Sequence, residues 1–361
     1  MIVVQIYQSV YLISVLILTI ITINQYYQTN RYIGEGKGSP TSVTLFVALS
    51  MMLFIGLRPV SGVFVDMVNY NASYNALYYG SPFSFSWSLD NFLFDNLFAW
   101  MGSMMFDISW FFLIIAAIYF GGIAWASKKM FPNDTLLAFV MYLGAFSTFS
   151  YSTNGIKAGA AASIFLVALA YKDNLKVCIP LLWVTLGFHH SMLAPIVAFV
   201  IAYFVRKPKW YLYGWLFCLL LAVAHIVYFL SLFSGFTDEH GAGYLVADRK
   251  DAEVSGFRPD FILYSAIPIF IGYYLITKRY IQSEYYNFLW CTYTLTNCVF
   301  LLCTYGSFIN RIAYLSWLMY PFILLYPFVN AYWSNRQSRY LRYVVYGHLG
   351  FTLFMDFIYY A

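Results

Sequence analysis

Residues 108–126 read ISWFFLIIAAIYFGGIAWA, and residues 215–233 read WLFCLLLAVAHIVYFLSLF. Neither stretch contains Asp, Glu, Lys or Arg. An α-helix needs about 20 predominantly apolar residues to cross a bilayer, and both stretches approach that length. Their apolar positions do not alternate with polar ones, as they would in the strands of a transmembrane β-barrel. These stretches therefore predict membrane-spanning helices.

The composition of the whole chain supports the same interpretation. Of its 361 residues, 62% are hydrophobic and only 10% are charged, whereas a soluble domain carries about 25% charged residues. This excludes a soluble enzyme, and 35 Phe, 35 Tyr and 10 Trp exclude intrinsic disorder. Five cysteines, mostly inside apolar runs, do not indicate a disulfide scaffold. We expect no nucleic-acid partner, because the net charge of +5 is better explained by its placement along a membrane chain.

Hydropathy predicts an all-α, polytopic integral membrane protein with a single multispanning domain over residues 1–361. About twelve helices span or partly span the membrane, at residues 2–24, 41–57, 104–126, 135–150, 155–171, 175–188, 190–205, 210–232, 261–277, 286–304, 312–331 and 341–360. The sixth and seventh are too short for a full span and would suit a helix pair that dips into the membrane and returns. The first lacks a basic amino-terminal region and a cleavage site, which favours a retained helix.

The basic residues are distributed unevenly between the two sides of the membrane. About 14 of the 20 fall on the side reached after the first helix, which the positive-inside rule makes cytoplasmic. Two long loops, 58–103 and 233–260, fall on the opposite side. Four cations on that side lie at predicted helix ends, at Arg58, Lys157, Arg258 and Arg311. Charge at membrane depth is costly and indicates a functional site, although any one of them could simply extend to the interface.

The first two cation clusters combine a basic residue with small and polar neighbours. Gly56-Leu57-Arg58 is followed by Gly62, Asp66 and Tyr70, and the last two share a face if the segment is helical. An ion pair between Asp66 and Arg58 is the simpler explanation of that cluster. Asn154-Gly155-Ile156-Lys157 begins a helix rich in alanine, where the lysine opposes the helix dipole. Either a protein carboxylate or a phosphate ligand would relieve that opposition.

The third cluster is the sequence Phe188-His189-His190-Ser191, between two short helices. Adjacent residues point apart on a helix, and no CxxC, HExxH or EF-hand pattern supports a metal site, so we expect no metal and no cofactor. Histidine is suited to proton transfer near neutral pH. A buried histidine with one hydrogen bond is the alternative.

The remaining clusters also place cations beside helix starts. Ser255-Gly256-Phe257-Arg258-Pro259-Asp260 precedes a helix that Asp260 could cap. Asn310-Arg311 begins another helix, again against the dipole. Guanidinium groups suit phosphate oxygens, and aromatic faces suit sugar rings. A lipid-linked diphosphate sugar would satisfy all of these features.

The motifs Gly56-Leu57-Arg58 with Asp66 and Tyr70, Asn154–Lys157, Phe188–Ser191 and Arg311 resemble those of EpsG-like proteins. These belong to the broad group of Wzy-type bacterial polysaccharide polymerases, and the resemblance covers roughly residues 40–330 in the same order. The family usually has Arg-Gln where Lys157 and Ala158 stand. The resemblance implies a GT-C-like membrane glycosyltransferase that extends a capsule, exopolysaccharide or O-antigen chain at the outer face of the cytoplasmic membrane.

The resemblance also implies substrates and roles for the candidate residues. Donor and acceptor would be undecaprenyl-diphosphate-linked oligosaccharides held among membrane lipids, with a chain-length regulator as a further partner. The departing undecaprenyl diphosphate would be stabilised by cations, and the acceptor hydroxyl would need a base. The catalytic candidates are His189, Asp66 and His190, and the binding candidates are Arg58, Lys157, Arg258, Arg311, Asn154, Tyr70 and Asn310. A polysaccharide O-acyltransferase that uses a membrane histidine, and a lipid-linked glycan flippase or transporter, remain alternatives; the chain shows no internal repeat typical of transporters.

Overall fold

A computed structural model describes residues 4–28, 41–80, 82–229, 233 and 256–359. The regular structure of these residues is helical, as the hydropathy predicts. The α-helices are α1 Tyr7–Gln28, α2 Thr41–Gly56, α3 Val65–Ala76, α4 Phe92–Ser103, α5 Ile108–Met130, α6 Thr135–Leu143, α7 Thr148–Thr153, α8 Ile156–Ala170, α9 Leu175–Phe188, α10 Leu193–Phe204, α11 Pro208–Val223, α12 Pro259–Thr277, α13 Glu284–Leu302, α14 Ile309–Trp317, α15 Tyr320–Val329 and α16 Gln337–Phe354.

Four helical segments are long and apolar enough to cross a membrane: Val4–Tyr27, Ile108–Met130, Pro259–Thr277 and Ile309–Val329. The prediction of an all-α, polytopic membrane protein is confirmed. Helix α5 shows how the sequence sets such a segment. Its start is capped by Asp107, which accepts a hydrogen bond of 2.8 Å from the backbone N–H of Ser109. Lys128 and Lys129 lie in its last turn, where positive charge complements the helix dipole.

The structure corrects several predicted segments. Segment 135–150 is two helices, α6 and α7, and segment 312–331 is also two, α14 and α15. Segment 58–103, predicted as a loop, contains helices α3 and α4. Each has only 12 residues, so a search for apolar runs of membrane length does not detect either helix. Most of the second predicted loop, 233–260, lies outside the described residues.

The chain divides into two compact units. The first comprises Met1–His189, Phe328–Asn330 and Ser334–Ala361. Its interior is built around α6, of which every residue is buried. The hydroxyl of Tyr11 in α1 donates to the carbonyl of Leu143 at 2.8 Å, and that of Thr352 in α16 donates to the carbonyl of Gly144 at 2.8 Å. These bonds occupy carbonyls at the end of α6 that have no partner within the helix.

Helix α5 packs closely against two neighbours in the first unit. A Cβ atom on Gly56, the last residue of α2, would lie 2.7 Å from the Cα atom of Leu113. A Cβ atom on Gly122 would lie 2.8 Å from the side chain of Ser163 in α8. Small residues allow helices to approach in this way within a membrane. The approach at Gly56 fixes where the chain leaves α2, two residues before Arg58.

The second unit comprises His190–Pro327 and Ala331–Trp333. A buried polar chain joins three of its helices. The indole N–H of Trp215 in α11 donates to Asn297 Oδ1 in α13 at 2.8 Å, and Asn297 Nδ2 donates to Ser316 Oγ in α14 at 2.9 Å. Because polar groups buried in such surroundings need partners, this chain of bonds fixes the register of the three helices.

Candidate functional site

Arg58 lies in a closed setting in the first unit. Only 2% of its surface is exposed. Its Nη1 donates to the carbonyl of Ile55 at 2.8 Å, and its Nη2 donates to the carbonyl of Thr153 at 2.8 Å. The guanidinium carbon also lies 5.3 Å from the ring centroid of Phe64 and 4.9 Å from that of Phe112. Carbonyl dipoles and the negative faces of aromatic rings therefore surround the cation.

What this setting lacks is an anion. Within the described part of the chain, Arg58 forms no ion pair, and its Nε has no hydrogen-bond partner. Burial lowers the pKa of Arg58 to about 10, so the guanidinium remains charged at neutral pH. A buried cation without a carboxylate is costly, because dipoles replace only part of its lost hydration. The ion pair with Asp66, which was the simpler explanation from the sequence, is not formed. Among the described residues, Arg58 is therefore held by carbonyl oxygens and aromatic rings alone.

The contact between Arg58 and Thr153 brings the first two predicted clusters together. Thr153 ends α7, and Asn154 and Gly155 lead directly into α8. A Cβ atom on Gly159 would lie 2.3 Å from the carbonyl oxygen of Tyr151, so α7 and α8 can meet this closely only with glycine there. The Oδ1 atom of Asn154 is buried without a hydrogen-bond partner. The guanidinium of Arg58 thus binds the residue that precedes Asn154, whose amide oxygen has no hydrogen-bond partner among the described residues.

Lys157 has a partner that the sequence analysis did not single out. Its Nζ lies 2.7 Å from Oδ1 of Asp95 in α4 and 5.0 Å from the ring centroid of Phe94. The side chains are 26% and 27% exposed, so the pair remains accessible. Of the two possibilities left open for the lysine at the start of α8, a protein carboxylate is the one found. No local pattern identifies Asp95, because the pair joins residues 62 positions apart.

The ring of Phe94 connects three of the predicted clusters within the first unit. Its centroid lies 6.1 Å from that of Tyr70 and 6.4 Å from that of Phe188, and Lys157 lies over its face. Tyr70 follows Asp66 by one turn of α3, so the two share a face as expected. His189 follows Phe188 directly and ends α9 in an extended conformation, with its backbone N–H bonded to the carbonyl of Thr185 at 3.1 Å. His190 begins a short 3₁₀ turn, His190–Met192, in the second unit.

Arg258 and Asp260 form a closed pair in the second unit. Arg258 Nε and Nη2 donate to the two carboxylate oxygens of Asp260 at 2.9 and 2.5 Å, and the guanidinium lies 4.1 Å from the ring centroid of Phe261. Asp260 was expected to cap α12. Arg258 occupies the cap position instead, and the carboxylate binds the arginine from the first turn of the helix. The charge of Arg258 is therefore largely neutralised, unlike that of Arg58.

Arg311 lies in the first turn of α14, as predicted, and is exposed. Its guanidinium carbon lies 5.3 Å from the ring centroid of Phe308. Phe308 has a left-handed backbone with φ of 52°, a costly conformation for a bulky residue. Beside Arg311, the Oδ1 atom of Asn310 is buried without a hydrogen-bond partner. Backbone strain next to an unsatisfied polar atom is typical of functional sites.

No group of three or more His, Cys, Asp or Glu side chains that could hold a metal ion occurs among the described residues. The organised chemistry of the first unit consists of a buried cation, a free amide oxygen, an accessible ion pair and a shared aromatic ring. Positive charge, a polar amide and exposed charged groups therefore occur together in this unit.

Comparison with known proteins extends this description. No curated protein and no solved structure matches the chain. The model of the EpsG family matches residues 41–361, a range that includes every candidate residue described above. This match covers most of the chain and agrees with the resemblance found in the sequence motifs. The chain belongs to the EpsG family.

Proposed function

We propose that this protein is a membrane glycosyltransferase that polymerises undecaprenyl-diphosphate-linked oligosaccharide repeat units into a bacterial capsular, exo- or O-antigen polysaccharide. The proposed place of reaction is the outer face of the cytoplasmic membrane. Membership of the EpsG family supports a polysaccharide polymerase-like role in general. The identity of the lipid carrier and the face of the membrane belong to the proposal.

The buried guanidinium of Arg58 carries this proposal. A cation that is buried, charged and without a carboxylate partner among the described residues needs a ligand anion. A diphosphate at headgroup depth would supply oxygens to the free Nε and to the remaining donors of the guanidinium fork. A neutral sugar does not meet that need.

The proposed reaction is a substitution at the anomeric carbon of the donor. The acceptor hydroxyl oxygen forms the new C–O bond, while the bond from that carbon to the diphosphate oxygen breaks. The bonding electrons leave with undecaprenyl diphosphate, and the acceptor proton passes to a base. Arg58 would stabilise the charge that develops on the leaving diphosphate. His189 and Asp66 are the proposed bases, with His190 as a further candidate.

The ion pair of Lys157 and Asp95 suits a different task from that of Arg58. Because Asp95 already neutralises Lys157, this lysine contributes less to the binding of an anion than Arg58 does. Its partial exposure allows the two charged groups to bind sugar hydroxyls beside the diphosphate. Asp260 likewise neutralises Arg258, so this arginine also contributes less to binding an anion. Arg311 is exposed and retains the proposed role of a phosphate ligand.

Reconstitution of the purified full-length protein in nanodiscs with a defined lipid-linked repeat unit tests the proposal. We expect a ladder of products joined by glycosidic bonds, resolved by gel and mass spectrometry. His189→Ala and Asp66→Asn variants that insert normally should leave more single repeat units than the parent protein does. Acyl transfer without elongation would support the acyltransferase instead, and transport of unaltered lipid-linked units would support a flippase.

A further inference from the structure

Residues 82–90 read PFSFSWSLD, in which aromatic residues alternate with serines. The structure places no helix between Tyr79 and Phe92 among the residues it describes. In an extended chain, successive side chains point to opposite sides, so alternating aromatic residues share one side. The rings of Phe85 and Trp87 indeed meet, with centroids 4.8 Å apart.

A buried asparagine fixes this segment to α4. Asn96 accepts a hydrogen bond of 2.9 Å from the backbone N–H of Ser86 and donates one of 2.7 Å to the carbonyl of the same residue. Its amide also donates to the carbonyl of Phe92 at 2.6 Å. Because both backbone groups of Ser86 are bound, the position of the next residue, Trp87, is set in advance.

The segment presents an exposed aromatic surface. The ring centroid of Trp87 lies 5.2 Å from that of Phe92 and 6.2 Å from that of Trp183 in α9. Trp87 is 68% exposed and Trp183 is 48% exposed. We call Phe85, Trp87, Phe92 and Trp183 the aromatic platform. Rings held in place at low entropic cost, with their faces uncovered, are typical of a binding surface.

The platform is continuous with the candidate site. Phe92 lies one turn of α4 before Asp95, whose carboxylate holds Lys157. On the other side, Ser86 Oγ and Ser88 Oγ lie 2.8 Å apart. An exposed aromatic surface next to an accessible ion pair matches a pyranose ring, which has an apolar C–H face and a rim of hydroxyls.

We propose that the aromatic platform binds a sugar ring of the repeat unit, by stacking on Trp87 and Trp183. This inference rests on the proposed polymerase function. The fixed backbone and the adjacent accessible ion pair favour a glycan over lipid, because insertion into lipid needs neither a defined ring position nor a charged neighbour. The lipid alternative is one outcome of the test below.

The test compares shape-selective variants of the full-length protein. Trp87→Phe keeps a flat ring, whereas Trp87→Leu keeps apolar bulk suited to lipid but removes the ring. The matched control is Trp110→Leu, because Trp110 is an exposed tryptophan of α5 in the same unit, 57% exposed. The probe is the oligosaccharide released by mild acid from the lipid-linked repeat unit, which carries neither phosphate nor lipid.

We expect Trp87→Leu to weaken binding of the released oligosaccharide roughly three- to ten-fold, and Trp87→Phe to weaken it less. Trp183→Leu, from a separate helix, should repeat the loss, and Trp110→Leu should bind as the parent protein does. Equal binding by the parent and both leucine variants of the platform, with polymerisation intact, would overturn the platform and leave the polymerase function standing. Equal weakening of oligosaccharide binding in Trp87→Leu and in the control Trp110→Leu would show that the loss is not specific to the platform, and would overturn it as well.

Discussion

Replacing Arg58 with methionine should abolish most of the activity while leaving the fold intact. Methionine keeps much of the side-chain volume between Phe64 and Phe112 and removes the charge. Two charge-assisted hydrogen bonds, to the carbonyls of Ile55 and Thr153, are lost at about 1.5–3 kcal/mol each. Against this, a buried cation without a carboxylate partner is removed, which recovers several kcal/mol. The free energy of unfolding should therefore change by no more than about 2 kcal/mol.

The effect on catalysis should be much larger. Loss of one group that stabilises developing negative charge lowers turnover about 100- to 1000-fold, and we expect a loss of this size for Arg58→Met. Arg58→Lys keeps the charge but not the fork, so its activity should lie between those of the methionine variant and the parent. The matched control is Arg206→Met, because Arg206 is paired on the surface with Glu284 at 3.0 Å. This control should polymerise normally.

The assay measures initial rates of polymer formation in nanodiscs, together with thermal unfolding of the same preparations. If Arg58→Met polymerises within three-fold of the parent protein, the buried guanidinium does not stabilise the leaving group. If it unfolds far more readily and Arg58→Lys restores both stability and full activity, Arg58 is structural and does not serve the leaving group.

Three further predictions concern packing and pairing. Gly56→Ala should destabilise the protein by about 1–3 kcal/mol, because the new methyl group meets the backbone of α5, whereas Gly62→Ala, with nothing within 4 Å, should be neutral in the same thermal melt. A double-mutant cycle with Lys157→Ala and Asp95→Asn should give a coupling energy of about 0.5–1 kcal/mol, and strict additivity would show that the pair is not formed. Asn297→Leu should cost about 1–3 kcal/mol, since it leaves the buried indole N–H of Trp215 without a partner, while Ser316 Oγ keeps its hydrogen bond to the carbonyl of Ala313; an unchanged melting temperature would contradict that network.

The long apolar segments could be predicted from the sequence because they depend on a local property, hydrophobicity over a membrane length. Helix α9 begins and ends at the predicted residues, and α2 and α8 lie within one residue of theirs. The helices α3 and α4 were not predicted because they are short and, in α3, polar. The breaks within segments 135–150 and 312–331 were not predicted either, because apolar composition alone gives no signal for where a helix stops inside the protein.

The candidate site was predictable in its residue types but not in its pairings. Arg58, Asn154 and Lys157 were selected for charge or polarity at helix ends, and the structure brings their segments together. That Asp95 pairs with Lys157 depends on contacts between distant segments, which a single sequence does not show. For the same reason, no pattern in the sequence distinguishes Arg58, which has no carboxylate partner in the described part of the chain, from Arg258, which has Asp260.

The buried guanidinium of Arg58 is proposed to bind a lipid-linked diphosphate, and equilibrium binding measures that interaction. The measurement compares undecaprenyl diphosphate with undecaprenol, which lacks phosphate, on the purified full-length parent protein and on Arg58→Met. We predict that the variant binds the diphosphate at least about ten-fold more weakly, as loss of a charge-assisted hydrogen bond implies, and binds the alcohol unchanged. Equal affinity of both proteins for the diphosphate would contradict the claim.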